Sequence, residues 1–556
     1  MKFLNKYRNL NSPEKKKKIH KQLLLGLLSG ILIGLSFPPI PLPYLIFIGL
    51  VPYFIALQQR EGLAEINRLT YFTAFFFNII TLYWVGGWLP NSDPFLMIAG
   101  TTLFFFNPVV FLIPSTLYYF ATKVFNKNIA LLLLPLFWVT FEYAYSITDF
   151  KFPWLTFGNS LPFFTSYIQI AEIIGVYGLT LLIIYSNVFI YRSIKAYLQG
   201  KRFDKTSISI ALLILIIPII YGHFRINTYS ISENRISVGL IQPNLDPNEK
   251  WKAGNLEEQL DLYLDLSKEA ISDGAELLIW PETALPVYLL SGRYPFEVRR
   301  LKEFVDTNNI PILTGMPDAT FFSNREEAPE DAKPSGNSEK VYVSYNSILL
   351  FNPNEINVQK YGKMKLVPFG EKVPLVDLLP FLGDWIKWEV GISSWNTGQD
   401  TTVFEVKRKE KPAKVGKAEA KAKVGGLICI ESIYPGFTSA FVKKGAEFIA
   451  VVTNDSWYGD SSGPYQHKEI SVLRAVENRR TVVRAANGGI SCVIDPLGRT
   501  MSETKMYTRD YLVVDVPLET DLTFYTKFPL LFPLLASIIS IILILTFIVK
   551  KIIRKQ

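Results

Sequence analysis

Few residues in this chain are equipped for covalent chemistry, and three of them stand where a fold would display them. Glu282 follows Trp280-Pro281 directly after an apolar run. Lys363 lies in Tyr361-Gly362-Lys363-Met364. Cys429 ends Gly425-Gly426-Leu427-Ile428-Cys429 and precedes Ile430-Glu431-Ser432. A carboxylate can take a proton, an ammonium can stabilise a developing oxyanion, and a thiol is a strong nucleophile once deprotonated. Such a cysteine needs a base within reach and a cation that favours the thiolate. The chain has 3 histidines, and His467 is the one available to pair with Cys429 besides His223 at the region's border. A Cys–His pair and a Glu–Lys–Cys set are therefore both open. A lone cysteine at a strand end is also ordinary core packing, and spacing alone leaves that reading standing. With 2 cysteines, Cys429 and Cys492, a disulfide scaffold and a Cys-rich zinc site are excluded. No metal or cofactor is expected, and Cys492, in the strand-like 490–494, reads as core.

These residues sit in a segment that alternates strand and helix patterns. Short runs at 236–241, 277–280, 312–315, 347–351, 426–429 and 448–453 are rich in Ile, Leu and Val and mostly bounded by Gly, Pro, Asn or Asp. Helix patterns cover 256–273 and 469–484. That alternation predicts an α/β domain with buried strands, whose strand ends display functional groups. Residues 322–340 and the Lys-rich 407–423 read as surface insertions. The Lys-rich stretch is expected to be solvated, with contact to anionic headgroups as the sharper alternative.

The rest of the chain is apolar in long runs. Hydrophobic residues make up 49% of the sequence, concentrated at 22–37, 42–58, 69–88, 97–122, 129–147, 169–192, 206–222 and 528–549. Each run approaches the roughly 20 residues that cross a bilayer core. The first two are separated by Pro38-Pro39-Ile40-Pro41-Leu42-Pro43, which no helix runs through. They are read as two spans rather than a re-entrant hairpin. Lys and Arg alternate with the loops: Lys15 to Lys18, Arg60, Arg68, Lys123, Lys127, Arg192, Lys195 and the tail from Lys550 fall on one side, and only Lys151 on the other. The positive-inside rule then puts both termini in the cytoplasm. The expected organisation is multi-domain, a polytopic helical bundle of about eight spans with an external α/β domain: seven spans over 1–222, the external domain over 223–527, and one span with its tail over 528–556. The net charge of +9 is concentrated at both termini and in 407–423. It is a topology signal that gives no reason to invoke nucleic acid. Glu142 and Glu172, in or beside spans, are candidates for a functional or an interfacial carboxylate. A transporter or receptor should carry paired ionisable groups through its spans, and these spans are nearly devoid of them.

Three segments resemble, in order, the Glu, Lys and Cys motifs of the nitrilase (carbon–nitrogen hydrolase) superfamily: Ile279-Trp280-Pro281-Glu282, Tyr361-Gly362-Lys363 and Ile428-Cys429-Ile430-Glu431. Further stretches resemble its membrane-embedded branch, the apolipoprotein N-acyltransferase family. They are 366–374 (Leu-Val-Pro-Phe-Gly-Glu-Lys-Val-Pro), Thr453-Asn454-Asp455-Ser456-Trp457-Tyr458-Gly459, Gly463-Pro464-Tyr465-Gln466-His467, and Arg474–Arg480 with Arg484–Ser491. Pro153-Trp154-Leu155 and Ile174-Gly175-Val176-Tyr177-Gly178 resemble the family's membrane half.

The resemblance implies an αββα sandwich outside the bundle. It implies Glu282 as general base, Cys429 as nucleophile and Lys363 as oxyanion stabiliser with the backbone N–H of Ile430. Glu371 and Glu431 would be supporting carboxylates, and Trp251 and Trp457 substrate-contacting aromatics, Trp457 in a loop that could lid the site. The family commonly has Tyr where this chain has Ile430, so an aromatic contact is absent there while the N–H remains. His467 falls in a matched motif but has no role in the triad. The implied reaction moves an acyl chain from a membrane phospholipid, through a Cys429 thioester, to the α-amine of a diacylglyceryl-modified N-terminal cysteine on an apolipoprotein. The implied setting is the bacterial inner membrane, with the catalytic domain periplasmic and the protein monomeric. A membrane-tethered amidase that uses water as acceptor is the alternative.

Overall fold

The computed structural model describes residues 13–88, 94–200, 202–250, 256–335, 339–375, 395–408 and 421–553. The chain divides into two compact units. One comprises Met1–Thr148, Phe152–Asn227 and Leu530–Gln556; the other comprises Asp149–Lys151 and Thr228–Pro529.

The first unit is helical. Among the described residues, six helices are long and apolar enough to cross a membrane: Leu63–Gly86, Leu96–Val124, Lys127–Ile147, Ala171–Gly200, Lys205–Thr228 and Leu531–Ile553. The expected span 22–37 is the apolar part of helix Pro13–Gly34, whose first turns carry the lysines. The expected span 42–58 is not one helix but a 3₁₀ turn, Pro43–Leu45, then Ile46–Gly49 and Val51–Leu57. Pro52 cannot donate to the preceding turn. Asn187 fills the gap, donating to the Ile46 carbonyl and accepting from Leu50 N, both at 2.8 Å. The expected span 97–122 is the candidate span Leu96–Val124, interrupted at Phe111 between helices Pro94–Val110 and Leu112–Val124. Helix Ala171–Gly200 kinks at Gly175, whose φ of 61° and ψ of −177° only glycine adopts freely. The expected boundary after residue 222 falls inside helix Lys205–Thr228. Glu142 accepts from Phe157 N at 2.9 Å, and Glu172 takes Arg225 at two points, 2.6 and 3.0 Å. Both buried carboxylates therefore serve internal contacts, as a low-dielectric site requires.

The second unit is an α/β sandwich of two sheets. Its strands are β1 (Arg235–Gln242), β2 (Leu277–Trp280), β3 (Ile312–Phe322), β4 (Lys333–Pro334), β5 (Val341–Phe351), β6 (Gln359–Gly362), β7 (Val403–Lys407), β8 (Lys421–Ile428), β9 (Phe448–Thr453), β10 (Val482–Ala486), β11 (Cys492–Ile494), β12 (Thr500–Glu503) and β13 (Asp510–Pro517). One sheet runs β13-β1-β2-β3-β5-β4 with β6 beside β5, the other β12-β11-β10-β9-β8-β7. The centre of each is parallel: β1, β2 and β3 in the first, β8, β9 and β10 in the second. Strands β2, β9 and β10 are buried throughout, and β2 and β9 accordingly read as apolar runs. Inner faces meet closely, since a Cβ on Gly426 of β8 would stand 2.7 Å from Ile348 of β5. Helices Leu256–Ser272 and Ser462–Asn478 pack beside β1 and β10 respectively.

Two local expectations are corrected. The helix expected over 469–484 is Ser462–Asn478; it ends at Arg479, φ 47°, and β10 begins at Val482. The β-branched run Thr481-Val482-Val483 pairs in parallel with β9 instead of continuing the helix. The ends of the Lys-rich stretch are strand, not loop: β7 and β8 form an antiparallel pair from Val403↔Gly425 to Lys407↔Lys421. Residues 409–420 lie outside the described residues. In the other expected insertion, β4 pairs with β5, and Ala332, Val341 and Val343 form a small apolar cluster.

Candidate active site

The three chemistry-bearing residues each follow the C-terminal end of a strand, where an α/β sandwich exposes its functional groups. Trp280 anchors the end of β2: its indole N–H donates to Ser267 Oγ at 3.0 Å and it stacks on Tyr263 with ring centroids 4.7 Å apart. The chain then turns sharply. Thr283 takes φ 48°, unusual for a β-branched residue, and Ala284 N donates to Gly315 O at 2.7 Å. Gly315 has to be glycine here, because a Cβ would stand 2.6 Å from Glu282 Cα. Lys363 follows β6, and its N–H donates to Asn346 O of β5 at 2.8 Å. Cys429 follows β8 with φ 50°. Strained residues of this kind persist where the surrounding structure over-determines them, often at functional sites.

Glu282, Lys363 and Glu371 form one buried set. Lys363 Nζ donates to Glu282 Oε1 at 3.2 Å and to Glu371 Oε1 at 2.8 Å. The Asn346 amide donates to the same two oxygens at 2.8 and 3.1 Å, and Val367 N donates to Glu371 Oε2 at 2.9 Å. Burial alone would lower the Lys363 ammonium. The charges of Glu282 and Glu371 outweigh burial and hold it well above the usual lysine range. The lysine is a fixed cation coupled electrostatically to the cysteine.

Cys429 is half-buried. Burial pushes its thiol well up, the Glu282 charge pushes the same way, and Lys363 pulls it back. The resting sulfur is therefore a thiol, and its proton has to leave as the sulfur attacks, which calls for a base beside it. Ile430, the next residue, is buried in the first turn of a 3₁₀ helix, Cys429–Ile433. N–H groups at such a position have no partner within their own helix.

Glu431 does not join the ion set; it ties together the segments that carry it. It is fully buried. Its Oε1 accepts from Tyr361 OH at 2.7 Å, Met364 N at 2.7 Å and Lys365 N at 3.1 Å, and its Oε2 accepts from Ile428 N at 2.9 Å. Burial raises its pKa to about 7 against the pull of these donors. Glu431→Gln would turn an amide N–H₂ toward at least one of the four donors. The expected outcome is a loss of about 1–3 kcal/mol for each buried donor left unpaired, read as a lower Tm in detergent, with activity falling as the Lys363 segment loosens.

Five further residues complete the site, and two of them, Asn346 and Lys250, carry no signal in the sequence. Asn346, which bridges the two carboxylates, looks like any polar residue in a strand. Tyr458, in the 3₁₀ turn Asp455–Tyr458, has its pKa pushed up by burial and by the charges of Cys429, Asp455 and Glu371. Asp455 accepts from His467 Nδ1 at 2.8 Å, and His467 Nε2 lies 3.1 Å from Cys429 O. Both stand in motifs that carry the family resemblance, and the scarcity of histidine singles out His467. Cys429, Asp455 and His467 each offer a metal-ligand type within 4.8 Å. Both ring nitrogens of His467 already have hydrogen-bond partners within the fold. Trp457 is half-buried in the same turn, and Trp251 lies outside the described residues.

Lys250 is the fifth. It is buried, and its Nζ reaches Glu282 O at 3.3 Å and Thr283 Oγ1 at 3.4 Å, bracing the strained turn that carries Glu282. Burial lowers its pKa to about 7, with Glu282 opposing. The native pKa lies below that of the unfolded chain, about 10.4. The cost of burying the ammonium is thus fully present below pH 7 and disappears as pH rises toward 10.4. The stability of the wild type relative to Lys250→Met should rise across that window by on the order of a few kcal/mol. Tm values of the two proteins between pH 6 and 10 check it; parallel curves would contradict it.

Comparison with known proteins gives this geometry a family. The chain matches the family profile described as carbon–nitrogen hydrolase over residues 237–520 and that described as apolipoprotein N-acyltransferase N-terminal domain over 29–189. It is 36% identical over 522 residues to an apolipoprotein N-acyltransferase of Chlorobaculum tepidum, covering 92% of this chain and 93% of that one. Identity to the Geobacter metallireducens apolipoprotein N-acyltransferase is 31% over 529 residues, 94% of each chain. Identity to that of Rickettsia prowazekii is 30% over 521 residues, 92% and 95% of the two chains. With a helical membrane unit and a carbon–nitrogen hydrolase unit matched in one chain along nearly its full length, the protein belongs to the apolipoprotein N-acyltransferase family.

Proposed function

We propose that this protein transfers an acyl chain from a membrane phospholipid to the α-amine of an N-terminal diacylglyceryl-cysteine, by a ping-pong route through a Cys429 thioester. The observation that carries the proposal is the juxtaposition of Glu282 and Glu371 on one ammonium, Lys363, that faces Cys429 electrostatically. Cys429 Sγ attacks the ester carbonyl as Glu282 takes the thiol proton. Negative charge gathers on the carbonyl oxygen against Lys363 and the Ile430 N–H. The C–O bond then breaks, the alkoxide takes the proton from Glu282, and lysophospholipid leaves. In the second half the α-amine attacks the thioester, Glu282 takes a proton from the nitrogen, and Cys429 recovers it as the amide forms. Glu371 keeps Lys363 in place, and Trp251 and Trp457 are the aromatics proposed to meet lipid.

A thioester retains driving force for amide formation, and excluding water protects it from hydrolysis. The apolar helices hold the α/β unit at the outer leaflet of the inner membrane with both termini cytoplasmic, where two lipid-anchored substrates arrive laterally. The three-part organisation expected from the sequence, with its boundaries moved to 227/228 and 529/530, is part of the same proposal, as is a monomeric enzyme. Purified protein given phosphatidylethanolamine and a diacylated N-terminal cysteine peptide tests it. Acylated peptide and lysophospholipid in equal amounts are expected. Hydrolysis of simple amides with no acylated peptide would mean a membrane-tethered amidase instead.

A further inference from the structure

The ion set of Glu282, Glu371 and Lys363 acts electrostatically on Cys429. A second buried cluster, with Asp455 and His467 atoms within 4.8 Å of the Cys429 sulfur, is not used by the proposed reaction. His467 is 2% exposed, Asp455 3% and Arg484 0%. Asp455 Oδ1 accepts from His467 Nδ1 at 2.8 Å and from Thr453 Oγ1 at 3.0 Å; its Oδ2 accepts from Arg484 Nη2 at 3.2 Å. Arg484 is held in turn by Ser471 Oγ, 2.9 Å from its Nη1. At the far end of the ring, His467 Nε2 lies 3.1 Å from Cys429 O, which also accepts from Ser432 Oγ at 2.9 Å.

Hydrogen-bond chemistry ties the ring protons to its partners. A backbone carbonyl only accepts, so a bond from Nε2 to Cys429 O needs a proton on Nε2, whereas a bond donated by Ser432 Oγ would need Nε2 bare. A carboxylate only accepts, so Nδ1 carries a proton. Burial would raise the Asp455 carboxyl, but His467 and Arg484 outweigh it and keep it ionised. With both bonds donated by the ring, it is an imidazolium clamped between an anion and a carbonyl. Asp455, His467 and Ser432 have the spacing of a hydrolase triad, with Ser432 Oγ 3.0 Å from Nε2. Ser432 is 0% exposed, however, and its hydroxyl already donates to Cys429 O. It is not placed to meet a substrate.

The carbonyl that receives these bonds belongs to the peptide linking Cys429 to Ile430. Drawing electron density toward a carbonyl oxygen makes the N–H of the same amide a stronger donor, the basis of cooperativity in hydrogen-bond chains. We propose that His467 is a positioning residue which, as a fixed imidazolium, polarises the Cys429–Ile430 peptide and so strengthens the Ile430 N–H as an oxyanion donor. It also holds Cys429 at its strained φ of 50°. This rests on the reading of Cys429 as nucleophile. It gives His467 no part in moving the thiol proton.

The test uses the full-length enzyme in detergent with phosphatidylethanolamine carrying 1-¹³C acyl chains, without acceptor peptide, so that the acyl-enzyme accumulates. The infrared band of the thioester carbonyl reports directly on the strength of the donors around it. His467→Gln keeps a neutral N–H of similar reach and removes the charge. Its band is expected at higher wavenumber than that of the wild type, and single-turnover acylation should be about two- to tenfold slower at unchanged donor KM. Where His467→Gln does not fold, Ser432→Ala removes the neutral donor to the same carbonyl and should shift the band in the same direction by less. A variant whose band and rate match the wild type overturns the proposal. So does a loss beyond about 10³-fold, which would make His467 an acid–base group. A wild type that forms no thioester fails at the earlier step and sinks the functional reading itself.

Discussion

Cys429→Ala is expected to lower phospholipid-dependent acyl transfer by about 10⁴- to 10⁶-fold, the range seen when a covalent nucleophile is removed. The size follows from what the cysteine alone supplies. Without sulfur, the acyl chain has to pass from ester to amine in one step between two lipid-anchored molecules, and the Lys363 and Ile430 donors have no covalent intermediate to stabilise. The variant should fold, since a methyl group replaces a half-buried thiol whose neighbours are held by Glu431 and by backbone pairing. An unchanged Tm together with lost transfer is the expected pair of results. Transfer of acyl chains by Cys429→Ala at even 1% of the wild-type rate would contradict it.

Lys363→Met is the second substitution expected to act strongly, and in two ways. It removes the cation aimed at the developing oxyanion, which is worth about 10²- to 10³-fold in kcat. It also strands Glu282 and Glu371, which share Lys363 in a site where all three are buried. Breaking a buried ion pair from one side costs about 3–5 kcal/mol, because an uncompensated charge remains. Adding Glu371→Gln to Lys363→Met removes one of the stranded charges. The double variant should recover much of the lost Tm and none of the lost kcat. Recovery of both would mean that Lys363 only holds the fold together.

The physics of burial made much of this molecule readable from its residues. Strands such as 277–280 and 448–453 announce themselves because both of their faces are covered, and helices such as 127–147 because their length matches the bilayer core. The triad positions were visible for a different reason: they stand at strand ends inside motifs that resemble a known superfamily. Spacing alone left Cys429 open to core packing. What could not be read was set by contacts far apart in sequence. Asn346 bridges Glu282 and Glu371 only because β5 lies beside the turn that β2 leads into. Lys250 is a buried lysine that a residue count cannot distinguish from a solvated one. The helix expected to run through Arg484 stops at Asn478, because pairing with β9 outweighs local helical periodicity. The second span breaks because Asn187, more than 130 residues away, supplies the bonds that an unbroken helix would otherwise make. Asp455, His467 and Arg484 all stand in the family-like motifs, yet their bonds to one another form only once β9, β10 and helix Ser462–Asn478 are packed.

The central claim is that Cys429 carries the acyl chain. Its most direct test is the intact mass of the purified protein after incubation with phosphatidylethanolamine of a single acyl composition and no acceptor. The account predicts a mass increase of one acyl group, mapped to the peptide containing Cys429, released by neutral hydroxylamine and absent from Cys429→Ala. An acyl group on any other residue, or one that persists in Cys429→Ala, would contradict it.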